Sequence, residues 1–255
     1  MTRFGGKTAI VTGGAGGIGS ATCRRLAVEG AAVGVFDLDL AAAEKVAAGI
    51  VEAGGKAAAF RCDITNRAEV EDAVEAVGEK LGPVSVLINN AGFDIFKPFL
   101  ATEPSEWERL ISVNLVGALN MHHLVLPGMV ERGYGRIVNV ASDAARVGST
   151  GEAVYAACKS ALLGLTKTLA REHARHGITL NVVCPGPTDT NLLEEFRKGA
   201  GNPEKLMESF RRAIPLGRIG QPNDLPGAIS FFASDDAAYV TGQVISVSGG
   251  LSMAG

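Results

Sequence analysis

A doubly wound α/β fold, with about seven parallel strands in one sheet and helices on both faces, is what this sequence predicts. Three observations carry that expectation. Short β-branched runs alternate with longer stretches of helical periodicity. A glycine-rich turn follows the first run and opens the first helical stretch. The fourth run, Val84–Asn89, is almost wholly apolar, as suits a strand covered on both faces.

The elements follow in order. Thr8–Thr12 is the first strand, and Gly17–Glu29 is a helix stopped by Gly30. Ala32–Asp37 is the second strand, and Leu40–Ala53 is a helix ended by Gly54-Gly55. Ala57–Arg61 and Ala68–Leu81 are the third strand and helix. After Val84–Asn89 come two long helices, Leu110–Glu131 and Val154–His176, with the strand Arg136–Val140 between them. Thr179–Cys184 and Val244–Val247 complete the sheet. No linker interrupts residues 1–255, which are read as one dinucleotide-binding and catalytic domain. Residues 188–217 break the alternation and are more polar, which marks them as a substrate loop or lid.

The composition narrows the class. Hydrophobic residues are 47% and charged residues 20%, so the chain is globular. A net charge of −3 gives no reason to expect nucleic acid or an anionic membrane as partner. Cys23, Cys62, Cys158 and Cys184 lack metal-ligand spacing and read as reduced thiols of a cytoplasmic protein. The N-terminus runs into the first strand without a signal-peptide core. Leu110–Val130 is long enough to cross a bilayer, but Asn114, Asn120, His122, His123 and Pro127 make it a buried helix of a soluble protein. His173 and His176 stand in a charged stretch, and no metal is expected there.

The chemistry starts from Tyr155 and Lys159, four residues apart and on one helix face. A phenol titrates near pH 10, and a nearby ammonium lowers that value, which makes a general base for an alcohol proton. An isolated pair at this spacing is usually a solvated face, so its weight comes from the rest of the chain. In Thr12–Gly19, the residues Gly13, Gly16, Gly17, Ile18 and Gly19 form a strand–turn–helix cradle for a pyrophosphate. Asp37, about twenty residues on, is placed to accept hydrogen bonds from a ribose and to repel a 2′-phosphate, which favours NAD over NADP. Its bland reading is a helix cap, a task Asp39 can take instead.

With these residues in place, the chain resembles the classical short-chain dehydrogenase/reductase family over essentially its full length. The likeness rests on Thr12-Gly13 with Gly17 and Gly19, Asp63, Asn89-Asn-Ala-Gly92, Asn114, Ser142, Tyr155 with Lys159, and Pro185-Gly186. It implies a Rossmann fold. Asp63 and Ile64 would lie against the adenine, and Asn90, Ala91 and Gly92 along the ribose. Pro185, Gly186 and Thr188 would pass over the nicotinamide, with Thr190 near the pyrophosphate. Ser142 would hold the substrate oxygen, Tyr155 would move its proton, and Lys159 would bind the nicotinamide ribose. Asn114 would fix a water that joins Lys159 to solvent. A homotetramer in which the two long helices pair across one interface is implied as well. Ser248 departs from the pattern, since many relatives carry Asp there.

Within the family, Phe93–Phe99, Glu103–Arg109, Met121–Met129 and Ser142–Gly148 resemble bacterial enzymes of aromatic and alicyclic acid degradation. That likeness implies NAD-dependent oxidation of 2-hydroxycyclohexane-1-carboxyl-CoA to the 2-keto ester. Ala144, Val147, Leu192, Leu193 and Phe196 would form the pocket for the ring, and Arg146, Arg197, Lys198, Arg211 and Arg212 would meet the CoA phosphates. The same residues read equally as core, lid and solvated surface. Two readings stay open beside it within the family: a 3-oxoacyl-thioester reductase and a general secondary-alcohol dehydrogenase. From another class, a non-catalytic dinucleotide sensor is disfavoured by the complete set Asn114, Ser142, Tyr155 and Lys159.

Overall fold

The computed structural model describes residues 2–199 and 202–253. Seven strands form one all-parallel sheet: β1 (Thr8–Thr12), β2 (Ala32–Asp37), β3 (Lys56–Arg61), β4 (Val84–Asn89), β5 (Gly135–Val140), β6 (Ile178–Pro185) and β7 (Val244–Val247). Their order is β3-β2-β1-β4-β5-β6-β7. The chain winds outward from β1 to β3, returns, and winds the other way from β4. The crevice between the C-terminal ends of β1 and β4 is therefore the topological switch point, where open α/β sheets bind ligands.

Side-chain alternation divides the core into two layers. Val11, Val35, Val86, Ile88 and Val138 face one side. There they meet α1 (Gly17–Val28) and α2 (Leu40–Glu52). Ile10, Phe36, Leu87 and Ile137 face the other side, against α3 (Arg67–Leu81). Local signals start these helices: Asp39 Oδ1 accepts from the Ala42 N–H at the start of α2, and Asn66 Oδ1 accepts from Ala68 and Glu69 at the start of α3.

The first long helix begins earlier than its apolar run suggests. Pro104 and a Glu103/Glu106 capping box start α4 (Pro104–Ile111). A π-helical turn, Ser112–Val116, joins it to α5 (Gly117–Arg132). Pro104–Arg132 is long and apolar enough to span a bilayer, yet Met121, Val125, Leu126 and Met129 pack it onto the sheet. After β5 come α6 (Ala144–Val147) and α7 (Ala153–His173), the helix of Tyr155 and Lys159. Residues 188–217, expected as a loop, contain two helices, α8 (Asn191–Gly199) and α9 (Pro203–Ala213). Their few apolar residues share one face, and Leu193 and Met207 close with Ile214 and Ile219 into a separate small core. A last helix, α10 (Pro226–Ala233), covers the β1 side through Ile229 and Phe232.

Ile137 is fully buried between the sheet and α5. Ile137→Ala is expected to lower unfolding free energy by about 2–4 kcal/mol, whereas Val28→Ala, at an exposed site, should change it by less than about 0.5 kcal/mol. Urea titration followed by circular dichroism checks both.

Candidate active site

At the switch point the strand ends are tied together. Thr12 Oγ1 accepts from the N–H groups of Asn90 and Ala91, each at 3.0 Å. The Asn90 amide donates to the carbonyls of Thr12 at 3.0 Å and Gly13 at 3.1 Å. The backbone of β1 can then turn sharply at Gly13, whose φ is +61°. A Cβ on Gly19 would fall on the Gly13 carbonyl, and one on Gly17 would crowd Thr190. Gly16 caps α1 with no side-chain cap, and the first turn holds no acidic residue. The result is a close backbone cradle with open N–H groups at a helix N-terminus, which fits a pyrophosphate.

Asp37 closes the cradle on the β2 side. Its Oδ2 accepts from the Ala15 N–H at 3.0 Å and its Oδ1 from the Asp39 N–H at 3.1 Å. Asp39 caps α2, so Asp37 is left to brace the glycine turn. Asp63 accepts from the N–H and the hydroxyl of Thr65. Ile64, expected beside it on the cofactor, is mostly buried and packs on Gly117 of α5. Its side chain is turned into the core because Gly117 leaves room for it.

A cavity of about 330 Å³ opens at the C-terminal edge of β4, β5 and β6. On the cradle side it is lined by Ile18, Asn90, Gly92, Pro185, Gly186, Thr188 and Thr190. Ser142, Tyr155 and Lys159 line its base. Ala144, Val147, Leu192, Leu193 and Phe196 line its apolar wall. Phe96 completes that wall, with its ring 3.8 Å from the ring of Phe196, centroid to centroid. Reasoning from the sequence missed Phe96, Asp94, Glu152 and Phe210 as lining residues. The alternation of elements carries no sign that the segment after β4 folds back over α7.

Asn114 stands behind this base rather than in it. Its side chain is 1% exposed, and its amide donates to the carbonyls of Phe93 at 2.8 Å and Leu110 at 3.0 Å. Those bonds are made from within the π-helical turn, where the ladder is locally loosened. Asn114 Oδ1 is buried and has no hydrogen-bond donor. It shares the space above Gly92 with Lys159 Nζ: a Cβ there would lie 2.7 Å from the first and 3.0 Å from the second.

The electrostatics depart from the expected ones. Lys159 Nζ is 5.7 Å from the Tyr155 ring centroid and donates to the Val140 carbonyl at 3.1 Å. Burial pushes Lys159 down to about 8. It does not pull Tyr155 down. Burial, at 6% exposure, pushes the phenol well above its ordinary range, and the carboxyls of Asp94 and Glu152 push the same way. A hydrogen bond with Ser142 opposes them weakly. The protein without cofactor therefore holds Tyr155 as a neutral phenol, a proton donor, where an activated phenolate was expected.

The basic residues at the presumed mouth are already engaged. Arg197 pairs with Glu194, Lys198 with Glu195, and both Arg211 and Arg212 with Glu208. Arg146 donates to Ser246 Oγ at 2.9 Å. These are exposed or half-exposed contacts of modest strength, open to exchange for a phosphate.

Comparison with known proteins follows the same lines. The family described as enoyl-(acyl carrier protein) reductase matches residues 13–252. A 3-oxoacyl-(acyl-carrier-protein) reductase of Thermotoga maritima is 39% identical over 98% of this chain and 99% of its own length. An acetoacetyl-CoA reductase of Rhizobium meliloti is 38% identical over 96% and 98%. The crystal structure of a 3-ketoacyl-(acyl-carrier-protein) reductase from Brucella melitensis, complexed with NADH, superposes with a TM-score of 0.89. It is 37% identical, covering 98% of this chain and all of that one.

The raised phenol is directly measurable. Phenolate absorbance near 295 nm, taken as wild type minus Tyr155→Phe, should be absent at pH 10 and emerge only above it. A phenolate signal from Tyr155 at pH 9 would contradict the burial argument.

Proposed function

This chain belongs to the classical short-chain dehydrogenase/reductase family and is an oxidoreductase acting on hydroxyl and keto groups; from that premise we propose that it interconverts the β-keto and β-hydroxy forms of an acyl thioester, with NAD as the preferred cofactor. The observation that carries the reading is the meeting of Ser142, Tyr155 and Lys159 in one cavity, between an apolar wall and the glycine cradle. When bound, the nicotinamide gives or takes the hydride.

The chain's own residues are assigned the remaining work. Ser142 and Tyr155 hold the substrate oxygen with their hydroxyls. In reduction, Tyr155 donates its proton to that oxygen as hydride reaches the carbonyl carbon. In oxidation the same path runs backward, and the phenolate takes the alcohol proton. The neutral phenol held by burial suits the reductive direction. Lys159 binds the nicotinamide ribose, and its ammonium would steady a phenolate once formed. Asn114 is assigned to hold a water over Gly92, where its unpartnered Oδ1 faces the Lys159 ammonium, and so to pass the proton outward. The fit of the cradle supports a dinucleotide, and the placement of Asp37 beside the glycine turn supports NAD, since a 2′-phosphate would meet a carboxylate.

The relatives named above favour a 3-oxoacyl-thioester reductase over oxidation of an alicyclic ester. The two readings share one chemistry, because 2-hydroxycyclohexane-1-carboxyl-CoA is itself a β-hydroxyacyl thioester. The ring reading keeps one observation of its own. The wall of Ala144, Val147, Leu192, Leu193 and Phe196, joined by Phe96, is broad and apolar, as a cyclohexane ring needs. Initial rates separate them, measured with 3-oxobutanoyl-CoA, 2-oxocyclohexane-1-carboxyl-CoA and cyclohexanone in the presence of each reduced cofactor. A thioester should exceed cyclohexanone by at least about 100-fold in kcat/KM, because the remote handle orients the reacting carbon. Equal rates would leave a general secondary-alcohol dehydrogenase.

Tyr155→Phe should lower kcat by about 1000-fold or more while cofactor affinity changes by less than about threefold, since only the proton-transfer group is lost. Stopped-flow fluorescence and steady-state rates check the two halves. Asp37→Asn should raise kcat/KM for NADP at least about tenfold relative to NAD by removing a repulsion. A wild-type enzyme that already prefers NADP would refute the reading of Asp37.

A further inference from the structure

Four carboxyl groups line the cavity, Asp94, Asp143, Glu152 and Glu195, and the proposed chemistry uses none of them. Asp94 follows β4 directly, and its Oδ1 accepts from the Ile95 N–H at 2.7 Å. Glu152 stands at the N-cap of α7, three residues before Tyr155. A carboxylate in that position ordinarily caps its helix, but the Glu152 side chain makes no capping bond. It lies close enough to Asp94 to raise that carboxyl's pKa. Two neighbouring carboxyls resist ionising together. Both are half-buried, and both line the same cavity as Ser142 and Tyr155. Their charge is felt at the Tyr155 phenol.

We propose that Asp94 and Glu152 are the specificity-determining residues that make this cavity accept a β-oxoacyl group only when its carboxyl is masked as a neutral ester or thioester. The inference rests on the reading of the cavity given above. The reacting carbon of a β-oxo acid is two bonds from its carboxyl carbon, or roughly 2.5 Å. With the keto oxygen on Ser142 and Tyr155, the carboxyl carbon stays in the cavity that Asp94 and Glu152 line. Like charges there repel through a medium of low dielectric, whereas a thioester carbonyl carries no charge and is not repelled. The selection is thus against the free acid and costs the ester nothing.

The pair has its own pH signature. Burial, followed by the neighbouring Glu152 carboxyl, pushes Asp94 up to about 7. Below that pH Asp94 is neutral, and above it Asp94 carries a negative charge. Rejection of an anionic substrate therefore strengthens as pH rises through 7. Other ionisable groups surround the pair. Lys159, Tyr155 and Cys158 lie on α7, Cys184 on β6, Asp143 before α6 and Glu195 on α8. Lys97, on the Asp94 segment, is held by Glu106. Of these, Lys159, pushed down to about 8, titrates nearest. Its loss of charge also removes an attraction for an anionic substrate, in the wild type and in a variant of the pair alike, so the pair's own part is the difference in slope between the two.

The test compares methyl 3-oxobutanoate with 3-oxobutanoate, the same ketone with its carboxyl masked or free, in the wild-type enzyme with NADH. The ratio of kcat/KM, ester over acid, should rise about tenfold between pH 6 and pH 8, the size expected for one added charge at close range. In the Asp94→Asn/Glu152→Gln double variant the ratio should fall at least about tenfold at pH 8 and rise with pH less than in the wild type. A ratio that is flat in the wild type, or retained in the double variant, would overturn the inference. The wild-type pH series needs no variant to fold, and Glu152→Gln alone offers a milder check in the same direction. Failure of the thioester reading looks different: 3-oxobutanoyl-CoA would be reduced no better than the methyl ester, while the charge ratio would still be read.

Discussion

The joint between β1 and β4 is the constraint on which the site depends. A parallel sheet wound in both directions leaves a gap where the winding reverses, and here Thr12 and Asn90 hold that gap at a set width. One hydroxyl takes two backbone N–H groups that the sheet cannot satisfy, and one side-chain amide takes two carbonyls at the same point. The glycine turn and the segment after β4 thereby leave the sheet from fixed positions. The first becomes the cradle at the head of α1, and the second carries Gly92 and Asp94 to the cavity. Neither strand end could supply this alone.

A second, deeper polar network holds the helices that carry the proposed chemistry. The Asn89 amide donates to Asn139 Oδ1 at 2.9 Å, and the Asn139 amide donates to Thr166 Oγ1 on α7 at 2.8 Å. His122 of α5 lies against both asparagines and is pushed down to about 4 by burial, so it stays neutral. These are costly groups to bury, and their pairing specifies how α5 and α7 seat on the sheet. Tyr155 and Lys159 inherit that seating. The same burial raises the phenol and lowers the ammonium. Both are then nearer to their neutral forms than their free counterparts, because a dry site disfavours an isolated charge.

Much of the fold was legible because its periodicities are strong. β1, β2, β4 and β7 have the bounds that their β-branched runs suggest, and Gly30 and Gly54 end helices as glycines do. The cradle residues, Ser142, Tyr155 and Lys159 were legible because glycine spacing and a helical i, i+4 pair are local patterns. Residues 188–217 were not. Charged residues on α8 and α9 outnumber the few apolar ones, so a face formed by Leu193, Phe196, Met207 and Phe210 was lost in an average over the segment. Pro104 was also missed as a start, because the apolar run that drew attention begins a turn and a half later.

The sequence by itself determined the kind of sheet, the place of the glycine turn and the residues able to move a proton. Each of these is a property of neighbours in the chain. Only the tertiary structure decided their electrostatic state. It brought Asp94 and Glu152, fifty-eight positions apart, into the cavity that Tyr155 lines. It buried Lys159 against the Val140 carbonyl and left Asn114 Oδ1 without a donor above Gly92. The physical reason is that a pKa and a pocket wall depend on burial and on charges brought near from distant positions, and no local pattern of residues encodes those distances.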